Sequence, residues 1–315
     1  MYKGSRTRKA AADLSAALVR IASWNTDKAR QVADEVLHLF LSKEAAKPKK
    51  GKKISEAPSD DTAQQKTTTL LYFSPAEIEK IARAIVGVNP SKDCEFDAAA
   101  MKDAAVKALG KGVPSDAADI AIFGRMVASA PNLTLEGAGM FSHAISTHKC
   151  DNDVDFWTAV EDERVAGDDA GAANMGVAEF TSACYYRYVA LNLGLLADPD
   201  HLNAMTREER QSVTDAFIRA TVLAVPHARQ NSMNAHTLPS YVLGTVKEKG
   251  QPMQLVNAFE TPVWSSNGIV PASIEAMKKH WSDLRTIWGI ECKEEVAIPD
   301  VTLDEFCRRL VAHVE

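Results

Sequence analysis

Residues 181–193 read TSACYYRYVALNL and carry the clearest strand pattern in the chain. Alternate residues fall into two sets that would face opposite sides of a sheet, and Tyr186 and Tyr188 share one set. Aromatic residues with an interleaved Arg187 are also typical of sheets that stack single-stranded bases, although tyrosine is common in ordinary strands. The segment predicts a strand and leaves its function open.

The rest of the chain alternates between helical and strand-like segments. Apolar residues recur at helical spacing on both sides of a polar stretch, residues 43–69, which includes KPKKGKK. That stretch is typical of a solvated surface loop, and its lysines could also attract phosphate. Further strands are expected at residues 117–126, 241–245 and 255–259. Helices are expected at residues 95–109, 206–224 and 271–288. This order predicts an α+β fold with a helical subdomain in front of an antiparallel sheet.

Three helix starts carry a capping signal, in which a Ser or Thr precedes a Glu by three residues. They begin at Ser74, Thr206 and Thr302. The hydroxyl can accept from the third helical N–H while the Glu carboxylate accepts from the N–H of the capping residue. We therefore expect helices to begin at these three places.

Composition limits the classes of protein that fit. The net charge is −6, but the first 53 residues hold 13 basic and 5 acidic side chains, so any phosphate-binding patch must be local. The five cysteines show no Cys-x-x-Cys spacing, which argues against a zinc ribbon or a disulfide framework. No apolar run is long enough for a membrane span and no secretory signal is present, so we expect a soluble, cytoplasmic protein.

The densest polar segment, residues 143–163, suggests a metal or hydrolytic site. His143 and His148 are five residues apart, whereas one helical face requires a spacing of four. Residues 151–155, DNDVD, begin like a calcium-binding loop, but Phe156 replaces the glycine and Asp162 the glutamate that such a loop needs. A carboxylate-based hydrolase or nuclease is a further alternative. Without a phosphate-binding loop or a nucleophile elbow, the sequence favours a protein that is not an enzyme and needs no cofactor.

Seven segments match one protein family in order and approximate spacing, over about two thirds of the chain. They are AIFGRM at 121–126, SHAISTH at 142–148, DVDFWTAV at 153–160, MGVAEFTSA at 175–183, YYRY at 185–188, ARQNS at 228–232 and VNAFE at 256–260. With these segments the chain resembles the CasC family, the backbone subunits of the type I-E CRISPR Cascade surveillance complex.

The resemblance implies a subunit shaped like a hand. Residues 1–115 would form helical fingers, and residues 116–147 and 181–315 would form a palm with an antiparallel sheet like that of an RNA-recognition motif. Residues 148–180 would form a long β-hairpin thumb. Family members also carry an N-terminal segment before the position of Met1, which supplies a palm strand and a basic helix start. We expect that segment to be missing here, at a cost to folding and RNA binding.

The resemblance also implies a function without catalysis. The subunit would polymerise along CRISPR guide RNA, contact other copies of itself and other Cascade subunits, and support recognition of target DNA in antiviral defence. An RNA-cleaving backbone subunit, or a metal-dependent hydrolase using His143, His148 and nearby aspartates, is the alternative.

Nine residues are expected to contact nucleic acid. Carried over from the family, four thumb residues would wedge the duplex where the thumb kinks it, and Met126 would lie beneath them in the palm. The thumb residues are Phe156, Trp157, Thr158 and Met175. Arg125, next to Met126, could hold a phosphate. Three consecutive residues after the predicted helix 206–224 could do the same, namely Arg229, Gln230 and Asn231.

Overall fold

The computed structural model describes residues 3–7, 9–41, 70–88, 97–109, 117–127, 131–159, 174–199, 201–202, 204–226, 230–234 and 236–315. The chain divides into two compact units. The first comprises residues 1–140, 191–217 and 314–315, and the second comprises residues 141–190 and 218–313. The lysine-rich segment 43–69 lies outside the described residues, and so does Arg229.

Helices and strands are both present throughout the described ranges. The helices are α1 (Ala10–Ala22), α2 (Thr26–Leu41), α3 (Pro75–Val88), α4 (Ala98–Leu109), α5 (Ala118–Phe123), α6 (Leu193–Leu196), α7 (Arg207–Leu223), α8 (Gln230–Met233), α9 (Ile269–Trp288) and α10 (Leu303–Val311). The strands are β1 (Ser5–Thr7), β2 (Leu71–Phe73), β3 (Gly139–Phe141), β4 (Ile145–Ser146), β5 (Asp153–Ala159), β6 (Asn174–Phe180), β7 (Tyr185–Tyr186), β8 (Val189–Leu191), β9 (Val242–Val246) and β10 (Glu294–Ile298).

The first unit is built around the apolar stripes of α1 to α4. Apolar residues at helical spacing on these helices are buried together, among them Leu14, Leu18, Val36, Ile81 and Ile85. Each lies three or four positions from the next on its own helix, so one face of each helix closes the same core. The helical character predicted for the front of the chain is confirmed.

Helices begin at all three predicted capping signals, and two of the signals form both reciprocal hydrogen bonds. The Ser74 Oγ accepts from the N–H of Glu77 at 3.1 Å, and the Glu77 carboxylate accepts from the N–H of Ser74 at 2.9 Å. Thr206 and Glu209 make the same two contacts at 3.2 and 2.8 Å. The Thr302 hydroxyl accepts from the N–H of Glu305 at 3.3 Å. These starts depend only on neighbouring residues, which explains why they were predictable.

The second unit has two apolar clusters. One packs Tyr186, Leu255 and Phe259 against Trp281 of α9. The other joins the antiparallel β9–β10 pair to α10 through Val296 and Phe306. The strand predicted at residues 241–245 and the helix predicted at residues 271–288 are confirmed as β9 and α9, with the helix beginning two residues earlier than expected.

Three strand predictions were wrong in part or whole. Residues 118–123 form α5, because a short apolar run without strict alternation fits a buried helix as well as a strand. The predicted strand at residues 181–193 is interrupted and contributes only β7 and β8. Residues 256–259 form a 3₁₀ turn that buries Phe259. Side-chain burial against other elements, rather than local pattern, decided each case.

The α+β class is confirmed, with antiparallel pairing of strands. In the first unit β1 pairs with β2; in the second unit β4 pairs with β7, β5 with β6, and β9 with β10. In the described ranges the sheets contain two strands each. A continuous sheet like that of an RNA-recognition motif therefore stays a prediction. None of the helices described is both long enough and apolar enough to cross a bilayer.

Candidate nucleic-acid interface

The β5–β6 hairpin exposes apolar side chains on both of its strands. Its seven cross-strand pairs run from Asp153 opposite Phe180 to Ala159 opposite Asn174, so both strands are paired along their whole length. All seven residues of β5 are solvent-exposed. The strands β5 and β6 are therefore paired, while residues 160–173 lie outside the described residues and the thumb predicted for residues 148–180 stays a prediction.

One face of this hairpin is apolar, and we call it the apolar face. Residues directly opposite in an antiparallel pair point to the same side, and alternate residues along a strand share a side. Phe156 pairs with Val177, Thr158 with Met175, and Val154 with Glu179, so these six residues share one face. Its large apolar side chains are 58–65% exposed. Exposed apolar side chains clustered in this way are typical of a binding surface.

Phe156 and Trp157 point to opposite faces of the hairpin because they are neighbours on one strand. The predicted contacts of the two rings with nucleic acid stay predictions, but this geometry separates them. Phe156 lies on the apolar face with Met175 and Thr158, whereas Trp157 lies on the other face with Asp153 and Asp155. The two rings can contact nucleic acid only from different sides of the hairpin.

Trp157 lies directly against Gly176, its cross-strand partner. A Cβ built on Gly176 would come within 2.7 Å of Cζ2 of the indole. Pairing an aromatic ring with a glycine across two strands covers the backbone that glycine leaves open. Even so, 43% of the Trp157 surface remains accessible.

The two strands of the hairpin, β5 and β6, carry only negatively charged side chains. Asp153, Asp155 and Glu179 are their ionisable residues, and neither strand contains a lysine or arginine. Such a surface repels phosphate groups at short range. Any contact of these two strands with nucleic acid would therefore join rings and apolar side chains to bases rather than to phosphates.

His148, at the foot of the hairpin, is hydrogen-bonded through both ring nitrogens. Nδ1 lies 2.7 Å from the carbonyl oxygen of Lys149, and Nε2 accepts from the N–H of Cys184 at 3.1 Å. A neutral imidazole with its proton on Nδ1 satisfies both contacts. In the described part of the chain, no three His, Cys, Asp or Glu side chains are arranged to hold a metal ion. This geometry does not favour the metal-dependent alternative through His143 and His148.

Arg125 is a buried structural residue, which corrects its prediction as a phosphate ligand. Its guanidinium forms an ion pair with Glu77 at 2.8 Å, and both side chains are 1% exposed. It also donates to the carbonyl oxygens of Leu133 at 2.9 Å and Tyr72 at 3.0 Å. A buried charge needs this kind of internal pairing, so the group is not presented to solvent.

Met126, the next residue, has the opposite environment. Its side chain is 83% exposed, because successive residues at the isolated bridge between Arg125 and Leu135 point to opposite sides. An exposed unbranched methionine can adapt to varied partners. Gln230 and Asn231 are likewise exposed, at the start of the short α8. Their surface positions are compatible with the predicted contacts, which stay predictions.

The tyrosine-rich segment serves mainly the internal packing of the second unit. Tyr186 is buried, its hydroxyl oxygen accepts from the N–H of Leu255 at 2.9 Å, and burial raises its pKa. Arg187 donates to the carbonyl of Ala224 at 2.7 Å and to that of Thr221, at the C-terminal end of α7. Positive charge there complements the helix dipole. The segment is therefore not an open stacking surface, although Tyr185 is exposed.

The sequence did not predict a role for three residues of the hairpin. Val154 and Val177 belong to the apolar face, and Gly176 makes room for Trp157. The alternation in residues 154–158 and 175–179 contains the signal for the two valines. The role of Gly176 depends on strand register, which the sequence does not specify.

Comparison with known proteins identifies the family. The model of the CT1975-like protein family matches residues 1–306. A chain of a structure described as "CRISPR RNA-guided surveillance complex, pre-nicking" is similar with a TM-score of 0.72 and 23% identity, over 100% of this chain and 85% of that one.

A chain of a second structure, "CRISPR RNA-guided surveillance complex", is similar with a TM-score of 0.51 and 27% identity, over 62% of this chain and 77% of that one. No curated protein matches significantly. At 23% identity the first likeness establishes a shared fold. The family match spans nearly the whole sequence, and the chain therefore belongs to the CT1975-like protein family.

Proposed function

We propose that this chain is a guide-RNA-binding scaffold subunit of a CRISPR RNA-guided surveillance complex. The observation that carries the proposal is the family match over residues 1–306, together with likeness to chains of two such complexes. The hairpin adds physical support, since its exposed apolar side chains are available to contact bases.

In finer detail, the complex is a Cascade of type I-E, in which several copies line one guide and support pairing with target DNA. The β5–β6 hairpin acts as the thumb that kinks the guide, and the chain has no catalytic step of its own. An RNA-recognition-like palm and a location in the cytoplasm belong to the same proposal, which rests on the resemblance to the CasC family.

The apolar face gives the thumb its means of kinking RNA. A ring such as that of Phe156, inserted beside a base, replaces a neighbouring base as its stacking partner. Each contact between a base and an aromatic ring contributes about 1–3 kcal/mol to the free energy of binding. Met175 lies on the same face and can follow the shape of different bases, since its side chain is unbranched. Binding of this kind tolerates any guide sequence, as a scaffold requires.

Titration of single-stranded RNA with the full chain at two salt concentrations tests the proposal. A scaffold should lose affinity at higher salt, with log K falling by roughly 0.7 per neutralised phosphate for each unit of log salt. Longer RNA should recruit more copies, seen by mass photometry as increments of 34.2 kDa.

The RNA should also stay intact with Mg²⁺ present. Cleavage that Asp155→Ala abolishes would favour the RNA-cleaving alternative, and absence of RNA binding would refute the scaffold function. Asp153→Ala is the matched control, because both aspartates lie on the same exposed face of β5.

A further inference from the structure

Gly176 is in unusually close contact with the ring of Trp157. A Cβ atom at position 176 would lie 2.7 Å from Cζ2, 2.8 Å from Cε2 and 3.0 Å from Nε1 of the indole. Optimal separations between carbon atoms are about 3.5–4.0 Å. The indole therefore occupies the space that any other residue's side chain would need, and because it is a rigid plate the whole ring would have to move.

Backbone conformation does not explain the glycine. Gly176 is not among the residues with positive φ, so its backbone is accessible to alanine. Glycine within a strand normally weakens it, because it has no side chain to pack and loses more conformational freedom on folding. The requirement at this position is therefore the space above the backbone, which Trp157 fills.

We propose that Gly176 is a positioning residue for the thumb. The missing side chain lets the Trp157 indole lie across the hairpin, which fixes the ring and presents its accessible surface to an unpaired base of the guide. This inference rests on the proposed function. It adds Gly176, which has no side chain and acts on the base only through the position of Trp157. Asp153 and Asp155 flank the ring on the same face, so the site favours a base over a phosphate.

The variant Gly176→Ala tests the position of the ring in the free protein. In the full chain labelled with 5-fluorotryptophan, the ¹⁹F resonance of Trp157, assigned by its loss in Trp157→Phe, should shift on this substitution. Gly87→Ala in α3 is the control, since a Cβ there would have nothing within 4 Å, and it should leave the resonance unchanged. An unchanged resonance in Gly176→Ala would overturn the positioning of the ring.

Affinity for single-stranded RNA tests the consequence. At a temperature where both proteins are folded, Gly176→Ala should weaken binding about 5- to 100-fold, within the range for loss of one stacked base. In a Trp157→Ala background the same substitution should change affinity less than about twofold, because the ring it displaces is gone.

Different outcomes refute different statements. A further large loss in the double variant, or unchanged affinity in Gly176→Ala, would overturn the role of Gly176 in binding through Trp157. Failure of the wild-type chain to bind RNA would instead refute the scaffold function, and the ¹⁹F measurement would still decide whether Gly176 positions the ring.

Discussion

Replacing Arg125 by methionine separates a structural role from a role in RNA binding. The guanidinium gives the buried Glu77 carboxylate its counter-charge and satisfies the carbonyl oxygens of Leu133 and Tyr72. Methionine has a similar length but no charge and no donor. The variant therefore leaves an unpaired carboxylate and two unsatisfied carbonyls inside the first unit.

The expected cost is large. Removing one partner of a buried ion pair costs about 3–5 kcal/mol, which corresponds to a decrease in melting temperature of about 6–20 °C. Adding Glu77→Gln should recover part of the loss, because a neutral amide needs no counter-charge. Arg83→Ala is the surface control: its pair with Glu79 is 2.6 Å long but the arginine is 67% exposed, so the change should cost under about 1 kcal/mol.

Urea denaturation followed by circular dichroism measures these free energies, and RNA titration at a temperature where each variant is folded measures affinity. We expect Arg125→Met to lose stability and to keep its affinity within about threefold, a difference of under about 1 kcal/mol. The reasoning is refuted if the variant unfolds like wild type but loses RNA binding as phosphate ligands do, because Arg125 would then act on RNA rather than on Glu77.

Two further predictions concern the second unit. Phe156→Ala should weaken RNA binding about 5- to 100-fold with little change in stability, because the ring is exposed and, in the proposed function, contacts a base. Trp264→Ala removes an exposed ring outside the hairpin and should have no effect in the same titration. The Glu294 carboxylate has a pKa lowered from 4.5, chiefly by its hydrogen bond with Arg309 and also by His313. The contribution of this carboxylate to stability is therefore present above pH 4.5 and lost as the pH falls through the lowered pKa. On acidification, the urea midpoint of Glu294→Gln should fall less than that of wild type. Equal dependence of the two urea midpoints on pH would contradict this account.

Local signals in the sequence predicted much of the fold. The helices capped by Ser74, Thr206 and Thr302 begin where expected, and the apolar stripes of the front helices formed too, because both depend on residues three or four positions apart. Predictions that depended on contacts distant in sequence were less accurate. The strand expected at residues 117–126 is a helix, and the tyrosine-rich strand is interrupted where Tyr186 and Arg187 turn to partners elsewhere in the second unit.

Predictions for the candidate site also differed in accuracy. The resemblance of the motifs to the CasC family pointed to residues 148–180 as a thumb and to Phe156, Met175 and Met126 as contact residues, and all three side chains are exposed. Arg125 was predicted to hold a phosphate, because the sequence does not show whether the charge of an arginine is buried.

By itself, then, the sequence determined where helices start, which faces are apolar, and which family the motifs resemble. Tertiary structure alone decided that Arg125 neutralises Glu77, that Phe156 and Trp157 serve opposite faces, and that Gly176 holds the space for an indole. The physical reason is that burial and strand register are set by partners far away in the chain: a residue 48 positions distant pairs with Arg125, and the register that places Gly176 beneath Trp157 exists only once the two strands have met.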